Sequence, residues 1–323
     1  MRPTGLAIVL GVLQIAPARA QEAAPVFQAT TELVLVDVQV LHKRTRAPAA
    51  SLQAGDLRIF EDGVEQEIRH FSRDELPLSV VLLFDLTNSV QGPLKRLAQE
   101  ARSALDHFKP QDEVAVMVYG ESARLLDGFS TDRGRTVRAV AQAAAMSTNE
   151  EAYFNEAVYQ AAIELRQSGT ATSRRLIIWL TDNIPDFPDS KHKPVHTEDD
   201  AFRALHEGGV VVAPMLLRNP VYLPLIAVMS PILGPMAKSQ HPGDARKYAE
   251  LTGGQAIGLR GKKPGQRLGE LIDELRARYT VGYRPGQAKP AGTFCKLRLE
   301  LAPNGALRPS EWIILARQGY YRR

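Results

Sequence analysis

The feature that most constrains the fold is a pair of short runs that are apolar on both alternating faces. One is Leu78–Phe84, and the other is Arg175–Leu180, in which every residue after Arg175 is apolar. A strand that is apolar on both faces is typical of a sheet covered by helices on both sides. We therefore predict an α/β domain that contains these two strands near its centre.

The order of patterns along the chain predicts a doubly wound, mostly parallel open sheet, because strand and helix patterns alternate as far as Arg278. Such a sheet places ligands outside the carboxyl ends of its strands. The other predicted strands are Val114–Tyr119, Ala123–Leu126, Val210–Leu217 and Gln255–Gly258. The predicted helices are Pro93–Phe108, Thr131–Ala145, Asn155–Arg166, Thr197–Glu207, Asp244–Leu251 and Gln266–Arg278.

Both flanks of this region carry the period-two pattern of β-strands. The segment 27–75 alternates apolar and polar residues around Val34–Val40, and Asp62-Gly63 marks a hairpin turn. The same texture returns in residues 279–323. We expect these two segments to pack together as one small β-sandwich, with residues 76–278 as the α/β domain between them.

The first 20 residues resemble a secretory signal. Arg2 opens the segment, Gly5–Pro17 supplies a short apolar stretch, and Ala18-Arg19-Ala20 fits a cleavage site. The alternative is a buried N-terminal helix, which would be unusually short and without caps. The signal predicts export, to the periplasm or out of the cell.

Composition narrows the classes of partner. The formal net charge of the 323 residues is +4, with acidic and basic residues intermixed, so nucleic acid is not expected as a partner. No further run of about 18 apolar residues follows the signal, so we expect no membrane span. The single cysteine, Cys295, excludes an internal disulfide and an N-terminal lipid anchor on cysteine.

A candidate metal site follows the first apolar strand. Asp85, Thr87 and Ser89 form a D-x-T-x-S run, and Mg²⁺ or Mn²⁺ binds through carboxylate and hydroxyl oxygens. The alternative is an ordinary turn, in which such side chains bond to nearby backbone groups. As a rim carboxylate, Asp85 is expected to contribute little to the core, so that Asp85→Ala would remove metal binding without unfolding the protein.

Together with Leu180-Thr181-Asp182-Asn183, this run resembles the von Willebrand factor type A domain and its metal-ion-dependent adhesion site. The flanks resemble more narrowly the bacterial VWFA-related family. The matching flank segments are Leu33–Val38, Phe60–Gln66, Phe71–Arg73, Tyr279–Tyr283 and Gly319–Tyr321.

The resemblance implies a divalent cation, Mg²⁺ or Mn²⁺, held by Asp85, Thr87, Ser89 and Asp182. Ala152 stands where the family has a threonine ligand, which implies a weaker site. Replacing Ala152 by Thr should then tighten metal binding. The residues of the same loop that could substitute for the missing ligand are Ser147, Thr148, Asn149 and Glu151. Asn183 stands where the family often has glycine.

These features predict an extracytoplasmic, non-enzymatic module that binds a protein partner through an acidic group on a degenerate metal site. One alternative is a metal-independent structural scaffold. A metal-assisted hydrolase is a further alternative, but no histidine adjoins the acid and hydroxyl cluster to serve as general base. An apolar stretch at 221–236 should lie at the same rim, either as a loop folded over the domain or as a contact surface.

Overall fold

The computed structural model describes residues 33–73, 75–147, 151–170, 172–184, 195–217, 243–259, 263–286 and 289–322. The predicted signal peptide at 1–20, the candidate ligands Thr148 and Asn149, and the apolar stretch at 221–236 lie outside the described residues. In chain order the strands are β1 (Val34–His42), β2 (Leu57–Glu61), β3 (Val64–Gln66), β4 (Ile68–Ser72), β5 (Leu78–Asp85), β6 (Glu113–Tyr119), β7 (Ala123–Ser130), β8 (Arg174–Thr181), β9 (Val211–Leu216), β10 (Ile257–Gly258), β11 (Tyr279–Tyr283), β12 (Phe294–Leu301), β13 (Trp312–Ala316) and β14 (Gly319–Tyr321). The helices are α1 (Asn88–Leu105), α2 (Arg133–Ala145), α3 (Phe154–Ser168), α4 (Glu198–Gly208), α5 (Ala245–Thr252) and α6 (Pro264–Arg276).

The central sheet has six strands in the order β10-β9-β8-β5-β6-β7. Neighbouring strands of this sheet are parallel, except that β7 at one edge runs antiparallel to β6. Every residue of β5 is buried, as its two-sided apolar pattern predicts. The predicted α/β class with a mostly parallel open sheet is confirmed.

Helices cover both faces of this sheet. One core cluster joins Leu82 of β5 to side chains of α1, α2 and α6, and the other joins Leu83 to side chains of α3, α4 and α5. Successive residues of a strand point to opposite faces, so Leu82 packs into one core and Leu83 into the other. None of the helices in the described ranges is long and apolar enough to cross a membrane.

Helix α1 begins earlier than the sequence pattern predicts. It starts at Asn88, after an extended Thr87, whereas Pro93 was expected to open it. Pro93 instead lies inside the helix, where it has no N–H to give to the carbonyl of Ser89. The D-x-T-x-S run therefore extends, through Ser89, into the first turn of the helix.

The flanking strands form two antiparallel sheets, in the orders β13-β1-β11-β4 and β14-β12-β2-β3. Their facing sides share one core cluster, to which β1 contributes the buried residues Val34, Val36, Val38 and Val40. The predicted sandwich of N- and C-terminal strands is present. Asp62 and Gly63 both have positive φ, at 48° and 86°, as the hairpin turn between β2 and β3 requires.

The chain leaves and re-enters the sandwich through neighbouring strands. β4 precedes the α/β region, β11 follows it, and the two pair in antiparallel fashion, for example Phe71 with Val281. The α/β region is therefore inserted between two paired strands. The domain boundaries at 75/76 and 278/279 stay a prediction.

Candidate metal site

Two acidic residues meet at the carboxyl edge of the central sheet because the strands that carry them are neighbours. β5 and β8 are parallel, with Phe84 beside Leu180. Asp85 ends β5, and Asp182 directly follows Thr181, the last residue of β8. Parallel pairing thus brings residues 97 positions apart to the same edge.

All four predicted site residues belong to one cluster of closely spaced side-chain oxygens. The Thr87 hydroxyl donates to Asp85 Oδ1 at 2.6 Å, and the Thr87 backbone N–H donates to the same oxygen at 2.8 Å. The Thr87 and Ser89 hydroxyls are 3.2 Å apart. The Ser89 hydroxyl donates to Asp182 Oδ2 at 2.6 Å. Their role as metal ligands remains a prediction.

The hydroxyl of Thr87 is diverted from its usual structural role. Thr87 is the N-cap of α1, and a threonine in that position ordinarily accepts a hydrogen bond from the helix backbone. Here its side chain makes no cap bond and points instead to Asp85 and Ser89. An ordinary helix cap therefore does not account for this threonine.

Asp85 is wholly buried, contrary to its expected position as a rim carboxylate. Burial is the largest influence on this group and raises its pKa to about 6, while the hydrogen bonds from Thr87 oppose that rise. The nearby charge of Asp182 acts with burial. A cation beside these oxygens would favour the ionised carboxylate, since an opposite charge stabilises the charged form.

Sequence reasoning missed two further hydroxyls on Asp85. Its Oδ2 accepts hydrogen bonds from Tyr119 Oη at 3.1 Å and from Thr181 Oγ1 at 3.3 Å. Tyr119 in turn accepts one from Trp179 Nε1 at 2.9 Å. The parallel register that sets Tyr119 beside Asp85 gives the contact, and no motif in the sequence marks it.

Ala152, which stands at the family's threonine position, has no side-chain oxygen that could bind a metal. Ala152 is fully buried in the core cluster that also contains Phe154, so a threonine there would add volume and a hydroxyl to a packed region. Ser147 is exposed, and Glu151 accepts a hydrogen bond from the Tyr153 hydroxyl. Ala152→Thr is therefore no clean test of the missing ligand.

The backbone conformation and side-chain contacts of Asn183 account for asparagine at a position where the family often has glycine. Its φ is 61°, in the left-handed region that glycine adopts freely and asparagine tolerates. Its side chain accepts from the Ala245 backbone N–H at 2.8 Å and donates to Asp244 Oδ1 at 3.2 Å. The asparagine thus ties the loop after Asp182 to the start of α5.

Residues 80–184, which contain all four site residues, match the family model described as von Willebrand factor type A domain. The central part of the chain is a von Willebrand factor type A domain. Comparison with curated protein sequences gives no significant match.

Several solved structures are partly similar to this chain. The conserved hypothetical protein BatB from Bacteroides thetaiotaomicron is 17% identical, with 45% of this chain and 68% of that chain covered and a TM-score of 0.37. The minor pilin PilB from Streptococcus sanguinis is 10% identical, with coverages of 64% and 63% and a TM-score of 0.45. The vWF domain of the type V pili tip protein Mfa5 from Porphyromonas gingivalis is 15% identical, with coverages of 37% and 43% and a TM-score of 0.31. The family is therefore assigned from the sequence match alone.

The oxygen set of the A domain fits a small hard cation. Adjacent oxygens of Asp85, Thr87, Ser89 and Asp182 are 2.6 to 3.2 Å apart. Octahedral Mg²⁺ with metal–oxygen distances of about 2.1 Å places adjacent ligand oxygens about 3 Å apart. Carboxylate and hydroxyl oxygens are also the ligand types that Mg²⁺ and Mn²⁺ prefer.

A second group of possible ligands lies in the sandwich, where Glu61, Asp62 and Cys295 are close together. Glu61 Oε2 accepts hydrogen bonds from Tyr283 at 2.5 Å and Tyr320 at 3.0 Å, and Asp62 pairs with Lys289. These carboxylates already have donors and a positive charge beside them. The group is satisfied without a metal.

Proposed function

We propose that this protein is a non-enzymatic binding module whose A domain holds Mg²⁺ or Mn²⁺ and uses it to bind an acidic group of a protein partner. Asp85, Thr87, Ser89 and Asp182 would hold the cation. The cation would supply a positive centre to which a carboxylate of the partner adds as a further ligand. With the predicted signal peptide, this binding would take place outside the cytoplasm.

One observation carries the proposal: oxygens of the four residues lie in succession 2.6 to 3.2 Å apart across two neighbouring strand ends, and the lone pairs of the Thr87 and Ser89 hydroxyls face each other. The N-cap of α1 also supports the proposal, because the Thr87 hydroxyl bonds to Asp85 and makes no hydrogen bond with the helix backbone. A plain structural turn needs neither feature.

The chemistry around the site favours binding over catalysis. In the described part of the chain, the side chains bonded to Asp85 are the hydroxyls of Thr87, Tyr119 and Thr181, and Asp182 accepts from Ser89. These groups orient the carboxylates by hydrogen bonding. None is a histidine that could take a proton from an attacking water.

Calorimetric titration with Mg²⁺ and Mn²⁺ tests the metal site directly. The native protein should bind one ion, and Asp182→Asn should weaken binding by about tenfold or more because it removes one ligand charge. Asp199→Asn is the matched control, since Asp199 is an exposed acid of the same domain. Equal affinities in all three proteins, or no binding in any, would favour the metal-independent scaffold.

The acidic-partner step has its own test. In the Mn²⁺-loaded protein, a carboxylate that displaces bound water should lower the relaxation rate of water protons. Acetate should therefore reduce this rate in a saturable way, and acetamide, which has the same size and no charge, should not. Identical effects of acetate and acetamide would leave the metal site without an acidic ligand.

A further inference from the structure

The polar face of β1 and β11 packs against the A domain rather than facing the sandwich core. Val36 and Val38 of β1 point into the sandwich, so Asp37 and Gln39 point the other way. Thr280 pairs with Asp37 across the strands, and Arg278 lies two residues before Thr280 on the same side. We refer to Asp37, Gln39, Arg278 and Thr280, with Arg174 of β8, as the polar seam.

Backbone contacts close this seam against the A domain. Gln39 Nε2 donates to the Glu274 carbonyl at 2.8 Å, and Arg278 Nη2 donates to the Gly253 carbonyl at 2.9 Å. Arg174 Nη1 donates to the Arg276 carbonyl at 3.2 Å. Exposed fractions of 2% for Arg174, 1% for Arg278 and 6% for Thr280 show that these three side chains are closed to bulk solvent, whereas Asp37, with a side chain 23% exposed, lies at the edge of the seam.

Several buried donors of the seam have no hydrogen-bond acceptor among the described residues: Arg174 Nη2, Arg278 Nε and Nη1, and Thr280 Oγ1. Arg174 Nε lies 3.0 Å from Asp37 Oδ1, but its N–H does not point along that line, so the contact is an ion pair without a hydrogen bond. Buried polar groups are normally bonded, because leaving them unpaired is costly.

The charges of the seam are also unbalanced. Arg276 pairs with the buried Asp112, so that carboxylate is already engaged. Among the described residues, Arg174 pairs with Asp37 and Arg278 is influenced by the same carboxylate, which leaves one positive charge in excess. The pKa of Arg278 falls to about 10. Burial is the main cause, the charge of Asp37 opposes the fall, and the charge of Arg174 adds to it.

We propose that the polar seam binds one small inorganic anion of the chloride class, held by the guanidinium groups of Arg174 and Arg278 and the hydroxyl of Thr280. The anion accepts the unpaired N–H and O–H donors and neutralises the single excess charge. It thereby fastens β1 and β11 of the sandwich to the A domain. This site is independent of the proposed metal site.

A monovalent ion suits the seam better than phosphate or sulfate. The excess is one charge, and a second negative charge would lie in a buried region without a partner. The donors come from two arginines and one hydroxyl. A spherical ion can accept from donors in several directions, whereas an oxyanion needs two parallel N–H groups of one guanidinium to bond with two of its oxygens. A carboxylate of a partner protein could not reach the guanidinium groups of Arg174 and Arg278, because both side chains are buried.

Thermal unfolding at constant ionic strength tests the site. Replacing sodium gluconate by sodium chloride should raise Tm by about 4 °C, since an ion that binds only the folded protein stabilises it. Sodium sulfate and sodium phosphate at the same ionic strength should raise Tm equally in the native protein and in Thr280→Val, because both act only by exclusion from the protein surface. Crystals soaked in bromide should show an anomalous peak between Arg174, Arg278 and Thr280.

Variants separate this site from general salt effects. Thr280→Val and Arg278→Met should each abolish the chloride-specific rise in Tm, while Arg298→Met, at an exposed arginine of β12, should keep it. If Arg278→Met fails to fold, Thr280→Val and the bromide peak still decide. A chloride effect equal to that of gluconate, together with an empty anomalous map at the seam, overturns the proposal.

Discussion

At the scale of single residues, the candidate site depends on a buried carboxylate whose two oxygens accept hydrogen bonds from different parts of the chain. Asp85 Oδ1 faces the hydroxyl and N–H of Thr87, two residues away. Asp85 Oδ2 faces Tyr119 and Thr181, which come from two other strands. The first half follows from local spacing and could be predicted. The second depends on strand register, which no motif in the sequence specifies.

Asp85→Asn should weaken Mg²⁺ and Mn²⁺ binding by about tenfold or more while the protein stays folded. The amide keeps the volume of the carboxylate and can still bond with the surrounding hydroxyls. Asp85→Ala is a poorer test, because it would leave the hydroxyls of Tyr119 and Thr181 buried without an acceptor. Calorimetry for binding and circular dichroism for folding check the result. A folded Asn variant with unchanged affinity contradicts the assignment of Asp85 as a ligand.

Tyr119→Phe should lower the free energy of unfolding by about 1–3 kcal/mol. The change removes a donor to Asp85 and leaves the buried Trp179 N–H without its acceptor. Urea unfolding gives the measurement. Tyr321→Phe, at a partly exposed tyrosine in β14, is the control and should cost much less. Similar losses in the two variants would mean that the buried hydroxyl bonds add nothing to stability.

At the scale of elements, long patterned segments were predictable and short ones were not. The strands β5, β6 and β8 lie within a residue or two of their predicted bounds, because they are apolar on both faces. β14 has only three residues, and its strand character depends on pairing with β12, for example Tyr320 with Cys295. β7 extends to Ser130, four residues beyond the prediction, because its partner β6 continues alongside it through bulges.

Helix α4 meets β14 through a histidine that should make stability depend on pH. His206 is buried, its ring lies 5.4 Å from that of Phe294, and its pKa falls to about 4. Burial is the main cause, the charge of Arg317 adds to it, and the hydrogen bond with the Gly319 backbone opposes it. The folded protein therefore keeps this histidine neutral at pH values where the unfolded chain would protonate it.

His206→Gln should remove part of the acid sensitivity of folding. With a folded pKa below the usual 6.5, the stability contribution is complete above pH 6.5 and is lost as pH falls towards 4, by about 3 kcal/mol in all. Urea unfolding at several pH values between 4 and 7.5 measures the slope. His70→Gln, at an exposed histidine in β4, should keep the native slope. A native slope in His206→Gln as well would contradict the prediction.

At the scale of the whole molecule, the sandwich is completed by residues from both sides of the A domain. β11 lies between β1 and β4, and β12 lies between β14 and β2. The return of alternating apolar residues after Tyr279 made a shared sandwich predictable. The polar seam was not predictable, because Asp37 and Gln39 have the spacing of ordinary solvent-facing residues.

A protein that ends at Arg278 should aggregate. Removing β11 and β12 uncovers the apolar face of β1 and leaves β1, β2 and β4 with unpaired edges. Size-exclusion chromatography with light scattering makes the measurement, and a chain that ends at Tyr321, which keeps all strands, is the control. A soluble monomer from the shorter chain would mean that residues 27–75 do not depend on residues 279–323.

The insertion of the A domain between β4 and β11 has a mechanical consequence. Tension applied at Leu33 and Arg322 enters the molecule through β1 and β14, on opposite sheets of the sandwich. The load passes from strand to strand within the sandwich, and the antiparallel pairing of β4 with β11 closes the path at the base of the A domain. The A domain therefore bears no tension until that pairing breaks, and up to that point the arrangement of Asp85 and Asp182 stays intact.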